Sequence, residues 1–101
     1  MIKLNLPDTK YNINYTSAMK KDLKRAEKRG YDMKEIAEII FKLANDEPLE
    51  ERYHDHNLEG NWAGHRELHI RADWLLIYQK KDNLLILELT RTGTHSDLFG
   101  K

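Results

Sequence analysis

The histidines are the residues of this sequence with the clearest capacity for acid/base chemistry. All five lie in the second half of the chain, at His54, His56, His65, His69 and His95. An imidazole has a pKa near about 6.5, so one ring can accept a proton while another donates one at neutral pH. RNA transesterification needs such a pair, because a base activates the 2′-hydroxyl for attack on phosphorus and an acid protonates the departing 5′-oxygen. The residue types permit this chemistry, and scattered surface histidines are the alternative interpretation.

A metal site is the second chemistry that histidines suggest. His54-x-His56 and His65-x-x-x-His69 have spacings that zinc sites use. The longer spacing brings two rings to one ion only on a helix, whereas residues 65–69 alternate as a strand, in which four residues span roughly 13 Å. The HExxH motif is absent, and no cysteine is present to supply a thiolate ligand. The sequence therefore predicts chemistry without a metal or another cofactor.

Other residues supply the remaining requirements of phosphoryl chemistry. Arg66 and Arg91 are cations that could offset the charge growing on the phosphoryl oxygens. Asp73 is either a turn residue or a carboxylate that orients a histidine and fixes its tautomer. Trp74 suits core packing and base stacking equally, since aromatic faces stack on unpaired RNA bases. Phe99 is better placed for a substrate or lid contact than for a deep core.

Composition limits the kinds of protein that this chain can be. It has 101 residues, of which 40% are hydrophobic, and this length and composition predict one domain. Its 17 basic and 17 acidic residues balance, which argues against bulk electrostatic capture of nucleic acid. The neutral total conceals polarity, because residues 20–34 carry seven basic and three acidic side chains, while residues 46–59 carry six acidic ones and Arg52. The lack of cysteines, of a signal-peptide pattern and of a long apolar run predicts a cytoplasmic protein without membrane contact.

Two helices are predicted in the first half of the chain. The first begins at Thr16 or Ser17, ends near Arg29 before Gly30, and buries a stripe formed by Met19, Leu23 and Ala26. The second begins at Asp32, with Glu35 completing a capping-box-like start, and ends before Pro48. Its buried stripe is formed by Met33, Ile36, Ile40 and Leu43.

The remaining pattern predicts strands. The stretch 3–6 alternates weakly, and four clearer strands follow at 11–15, 65–70, 74–79 and 84–90, the last two separated by a turn at 80–83. Gly93 then breaks the last strand, and a short flexible segment carries His95. The order β-α-α-β-β-β predicts an α+β fold with two helices on one face of a small, mostly antiparallel sheet. The other face would carry His65, Glu67 and His69.

Two motifs in the second half resemble a known family. Residues 55–78 read D-H-x-L-x-G-x-W-x-G-x-R-x-x-H-x-x-x-D-W-x-L-I-Y, and residues 91–99 read R-T-G-T-H-S-x-L-F. This pattern is similar to the YafQ-like branch of the RelE superfamily of bacterial toxins. The motifs cover about half of the chain, and the two-helix segment agrees more loosely. Residues 1–10 look like an N-terminal extension of a single RelE-like domain over residues 1–101.

The resemblance implies an mRNA interferase of a type II toxin–antitoxin system. Such toxins cut mRNA in the ribosomal A site without a metal, leave a 2′,3′-cyclic phosphate and are held inactive by a cognate antitoxin. The family's catalytic positions fall on His56, His69, Asp73 and His95. Arg91 corresponds to the phosphate-facing arginine, and we expect Trp74, Phe99 and Arg66 to contact the substrate. The pattern sets no histidine at positions 54 and 65.

Two other functions remain open at this stage. A non-catalytic RNA- or protein-binding module would keep its effect without the histidines. A gyrase-poisoning toxin of the same fold would have no need for an acid/base cluster. The basic side of the first helix is either a solvated face or a contact to ribosomal RNA phosphates.

Overall fold

The computed structural model describes residues 8–100, in which the chain builds two long helices and a five-stranded sheet. The predicted strand at 3–6 lies outside the described residues. The helices are α1 (Ser17–Lys28), α2 (Met33–Ala44) and the short α3 (His95–Phe99). The strands are β1 (Asn12–Tyr15), β2 (His56–Asn57), β3 (Arg66–Arg71), β4 (Trp74–Lys81) and β5 (Ile86–Gly93). No helix within residues 8–100 is long and apolar enough to cross a membrane.

The sheet confirms the predicted α+β architecture. Its strand order is β1-β5-β4-β3-β2, with β1 parallel to β5 and every other pair antiparallel. β4 is central, and its first five residues are buried, as expected for a strand that is covered on both faces. The helices α1 and α2 pack on one face over the larger core, which includes Met19, Leu23, Ile36, Ile40, Leu76 and Leu89.

The helix ends follow the capping signals in part. Thr16 accepts a hydrogen bond from the Met19 amide at 3.0 Å and begins α1, and Gly30 follows its end with φ of 80°. The start of α2 at Asp32 was expected, but the Glu35 carboxylate accepts a hydrogen bond from Arg71 Nε at 2.8 Å rather than closing a capping box. α2 ends before Pro48, as predicted, but Pro48 does not itself stop it: the helix already ends at Ala44, and Asp46 then takes a left-handed backbone conformation with φ of 57°.

Three details of the second half differ from the sequence-based prediction. β4 continues to Lys81 and β5 begins at Ile86, because Leu84 and Leu85 form an exposed turn despite their apolar character. The two-residue strand β2 forms one edge of the sheet, beside β3, and the sequence pattern did not predict it. The segment after Gly93 is the helix α3, stabilised by a capping box between Thr94 and Asp97, and not a flexible tail.

The second face of the sheet is only partly covered. A small cluster of Leu75, Ile77 and Leu98 packs there, with Leu58 and Trp62 at its border. α3 therefore covers the middle of this face. The side chains that β2 and β3 place on the same face include two of the histidines described next.

Candidate active site

Three of the predicted histidines come together on the second face of the sheet. His56 lies on β2, His69 on β3, and His95 is the first residue of α3. The ring centroid of His69 lies 5.8 Å from that of His95 and 6.4 Å from that of His56. The side chains of His56 and His95 are each 48% exposed, so both can reach a ligand. The site thus holds adjacent, accessible imidazoles.

Strand register explains why residues far apart in sequence meet here. His69 is paired with Leu75 on β4, and Leu75 is paired with Gly93 on β5, so the three lie in one row across the sheet. His95 follows Gly93 by two residues. A Cβ at position 93 would lie 2.9 Å from the Asp97 carboxylate, so only glycine lets α3 pack so closely on the strand end.

Asp73 holds His95 through two hydrogen bonds. One oxygen, Oδ1, lies 2.6 Å from His95 Nδ1 and 2.9 Å from the His95 backbone nitrogen. These bonds from the His95 backbone and side chain hold the pKa of Asp73 below its usual range. Because an ionised carboxylate only accepts, Nδ1 carries a proton and Nε2 is left to exchange one with a ligand. This is the geometry of a positioned proton-transfer group.

A second carboxylate fixes the helix that carries His95. Asp97 accepts the Thr94 amide at 2.9 Å and a two-pronged contact from Arg29, at 2.6 and 3.1 Å. The Arg29 guanidinium, followed by the Thr94 bonds, holds the pKa of Asp97 far below its usual range. The basic end of α1 therefore secures α3, and with it the position of His95.

Glu67 is a site residue that the motif interpretation missed. Its side chain is 8% exposed, and Oε1 lies 3.5 Å from His56 Nε2 and 3.4 Å from His69 Nε2. The Nδ1 atom of His56 lies 2.6 Å from the backbone carbonyl oxygen of His54. His56 can therefore donate to both neighbours only when it is doubly protonated. Alternation on β3 places Glu67 on this face, but its bridging position depends on the pairing of His56 with Glu67 across β2 and β3.

We expect Glu67→Gln to lower RNA cleavage by about tenfold. The neutral amide keeps the size of the side chain but lacks the charge of the carboxylate that lies between His56 and His69, so it holds the two rings less firmly. Single-turnover rates test this prediction. Glu59→Gln, at an exposed position, is the matched control. Equal rates for the two variants would contradict the prediction.

Arg91 reaches the histidine face through a β-bulge. Ile77 pairs with Arg91 whereas Tyr78 pairs with Leu89, so Thr90 is the extra residue. Arg91 thus shares a face with Ile77, but its Nε and Nη2 contact the Asp22 carboxylate, at 2.6 and 3.1 Å respectively. Nη1 has no partner among residues 8–100 and remains for a further acceptor.

Arg66 is not brought to this site. It pairs with Tyr78 across β3 and β4, on the helix side of the sheet, where the Asp55 carboxylate lies 3.1 Å from its Nε and Asn57 Oδ1 lies 2.7 Å from its Nη1. Burial, followed by the bond to Asp55, raises the pKa of Tyr78. The alternation that puts Glu67 on one face puts Arg66 on the other, and this signal was available in the sequence.

The aromatic residues divide between core and site. Trp74 is almost fully buried, donates from Nε1 to Thr92 Oγ1 at 3.0 Å and packs against Tyr31, which favours its core interpretation. Phe99 is 37% exposed, and its ring centroid lies 6.5 Å from that of His95 and 6.2 Å from that of Trp62. Phe99 is therefore the aromatic group available beside the histidines.

The two histidines outside the family pattern differ in their surroundings. The ring centroid of His54 lies 5.9 Å from that of His69, so the fold brings His54 to the border of the cluster. The ring of His65 packs edge-on against Trp62 at 5.6 Å, and its Nδ1 is buried without a hydrogen-bond partner. Neither placement was indicated by the spacing.

Comparison with known proteins identifies the family. The model of the family described as "Bacterial toxin of type II toxin-antitoxin system, YafQ" matches residues 11–100. The chain belongs to the YafQ family of toxins. The match leaves residues 1–10 outside, and it includes every candidate site residue.

Similar proteins agree with this membership. The mRNA interferase toxin YafQ of Escherichia coli K12 is 44% identical over 90 residues, which are 88% of this chain and 96% of that protein. The crystal structure of the E. coli DinJ–YafQ complex matches with a TM-score of 0.81 and 41% identity, covering 89% of this chain and 99% of that one. A metal-bound toxin from Helicobacter pylori matches with a TM-score of 0.83 and 39% identity, covering 88% and 99%. The YafQ fold thus accounts for nearly all of the chain.

Proposed function

We propose that this toxin cleaves mRNA in the A site of the translating ribosome by metal-free acid/base transesterification, leaving a 2′,3′-cyclic phosphate. The observation that carries the proposal is the hydrogen-bonded pair of Asp73 and His95, with His69 beside it. The E. coli relative is named an mRNA interferase, which supports the same class of reaction. Action on ribosomes places the toxin in the cytoplasm.

In this mechanism His95 transfers a proton in the chemical step. Its Nε2 either removes the 2′-hydroxyl proton or protonates the 5′-oxygen, while Asp73 holds its orientation. His69 and His56 complete the acid/base pair or hold the phosphate, and Glu67 lies between their rings. Arg91 offsets the charge on the phosphoryl oxygens through Nη1. No metal is required by these steps.

A chelator test decides the role of metal. The residues described contain no group of three or more side chains of the metal-binding types that could hold an ion, yet the H. pylori relative is metal-bound. Transesterification needs only an acid, a base and a cation, all of which side chains supply here. Cleavage is therefore expected to survive chelation once the magnesium that the ribosome needs is restored.

The partner of this toxin is a cognate antitoxin. The E. coli relative was solved in complex with DinJ. Because His56, His69 and His95 share one accessible face, an antitoxin segment that covers this face would block cleavage directly. A partner that binds only the acidic segment 46–59 and leaves cleavage unchanged would contradict this arrangement.

The ribosome contact is expected on α1. Lys20, Lys21, Lys24 and Lys28 are exposed and have no ion pair among the described residues, whereas Arg25 and Arg29 pair with Asp22 and Asp97. Lysines without protein partners are suited to bind phosphates. With a formal net charge of zero, the toxin should bind free RNA weakly and depend on the ribosome to present the substrate.

Primer extension on an mRNA, with and without translating ribosomes, tests the proposal. We expect cleavage on ribosomes only. Charge reversal in Lys24→Glu/Lys28→Glu should weaken ribosome binding, and more strongly at low salt than at high salt, because salt screens the contacts that the variant loses. The matched control reverses Lys34 and Lys42 on α2. Equal cleavage of naked and ribosome-bound mRNA would contradict the proposal, and an effect that persists without His69 and His95 would favour a binding module or a gyrase poison.

A further inference from the structure

One cavity of the molecule is not used by the chemistry described above. It has a volume of about 400 Å³ and lies at the end of the β3–β4 hairpin, beside the connection between α1 and α2. Its lining includes Tyr31, Asp32, Glu35, Arg71, Asp73 and Trp74. A cavity of this size accommodates a small molecule or one group of a larger ligand.

The cavity adjoins the site through Asp73. This residue lines the cavity and also binds the ring of His95, with Oδ1 and Nδ1 at 2.6 Å. A phosphodiester group beside His95 is covalently joined to a nucleotide on each side. A flanking nucleotide that runs past Asp73 meets the mouth of the cavity.

The lining suits a base better than a phosphate. Tyr31 is the partly exposed aromatic side chain of the lining, and the buried Trp74 packs behind it, with ring centroids 4.8 Å apart and an interplanar angle of 55°. Arg71 is paired with Glu35 at 2.8 Å, so its charge is already offset. Unpaired RNA bases are bound by aromatic contact together with hydrogen bonds to their edges. The carboxylates of Asp32 and Glu35 supply acceptors for such hydrogen bonds.

We propose that this cavity binds the base next to the scissile phosphate and that Glu35 favours bases with an exocyclic amino group. Adenine, cytosine and guanine carry this donor, whereas uracil presents carbonyl oxygens at the corresponding positions. The inference rests on the mRNA cleavage proposed above. It assigns the toxin's preference for the base beside the cleaved phosphodiester to side chains outside the histidine cluster.

The test varies each nucleotide next to the cut through all four bases in a ribosome-bound mRNA. At one of these positions the toxin should cleave amino-bearing bases about tenfold faster than uracil. Glu35→Gln should reduce this ratio to about twofold, because the amide also donates to a carbonyl. Glu38→Gln, which changes an exposed carboxylate of the same helix, should leave the ratio unchanged.

Two variants of Tyr31 test the aromatic part of the lining. Tyr31→Ala should slow cleavage about tenfold for every base, and Tyr31→Phe should retain the rate. Cleavage by all variants with wild-type rates and preferences would overturn this inference and leave the proposed function standing. Absence of cleavage by the wild-type toxin would overturn both. Variants that lose only neutralisation by the antitoxin would show that the cavity binds protein instead, which also overturns the inference.

Discussion

Replacing His95 with alanine is expected to lower the single-turnover rate of ribosome-bound mRNA cleavage by about 10²–10⁴. The variant removes the imidazole whose Nδ1 is held by Asp73 and whose Nε2 is left for the substrate. Position 95 is exposed and alanine favours a helix, so we expect α3 to stay folded and the other histidines and the lysines of α1 to keep their positions. Ribosome binding should therefore remain at the wild-type level, which separates a chemical defect from a docking defect.

His65→Ala and His54→Ala are the controls for this prediction. The ring of His65 packs edge-on against Trp62, and His54 contributes its backbone carbonyl to His56, which alanine retains. Both variants should cleave almost as fast as the wild type. Loss of cleavage in His65→Ala together with full activity in His95→Ala would show that the family positions have been transferred incorrectly.

Replacing Asp22 with alanine is expected to reduce the free energy of unfolding by about 3 kcal/mol. Asp22 is 3% exposed and accepts hydrogen bonds from Arg91, Arg25 and the buried Thr92 amide. The variant leaves the buried Thr92 N–H group unsatisfied and Arg91 without its counter-ion, while Arg25 keeps, among the described residues, only the contact to Asp97 at 3.6 Å. Urea denaturation measures the change, which should appear in the midpoint and not in the slope.

A conservative variant and a control on the same helix test the explanation of the Asp22→Ala result. Asp22→Asn retains an oxygen acceptor and should lose less stability than Asp22→Ala. Glu27→Ala removes an exposed carboxylate from the same helix and should change the free energy of unfolding by less than about 0.5 kcal/mol. If Asp22→Ala and Glu27→Ala unfold at the same urea concentration, the buried network contributes nothing to stability.

Local patterns predicted the parts of the fold that depend on local chemistry. The apolar stripe through Met19 and Leu23 and the cap at Thr16 located α1, and the continuous apolar run from Trp74 located the central strand. Leu84 and Leu85 misled the same reasoning, because an exposed turn can carry apolar residues when its backbone geometry is fixed by its neighbours. Helix periodicity is therefore more informative here than a short apolar run.

The candidate site was predicted only where a motif or an alternation marked it. His56, His69, Asp73 and His95 came from the family pattern, and the fold brings these residues together. The bulge at Thr90 and the pairing of His56 with Glu67 are consequences of register, which no single segment encodes. The partners of Arg91 and Asp97 lie on α1, far away in sequence, so their ion pairs had no local signal.

The long separation between these partners has a consequence for synthesis. Asp22 binds residues 91 and 92, Arg29 binds Asp97, and β1 pairs with β5 across more than seventy residues. Contacts between such distant segments form late, because the chain must first close a long loop. A nascent toxin therefore has no assembled histidine cluster while β5 and α3 are still inside the ribosome that makes them, and translation of its own message proceeds before the activity exists.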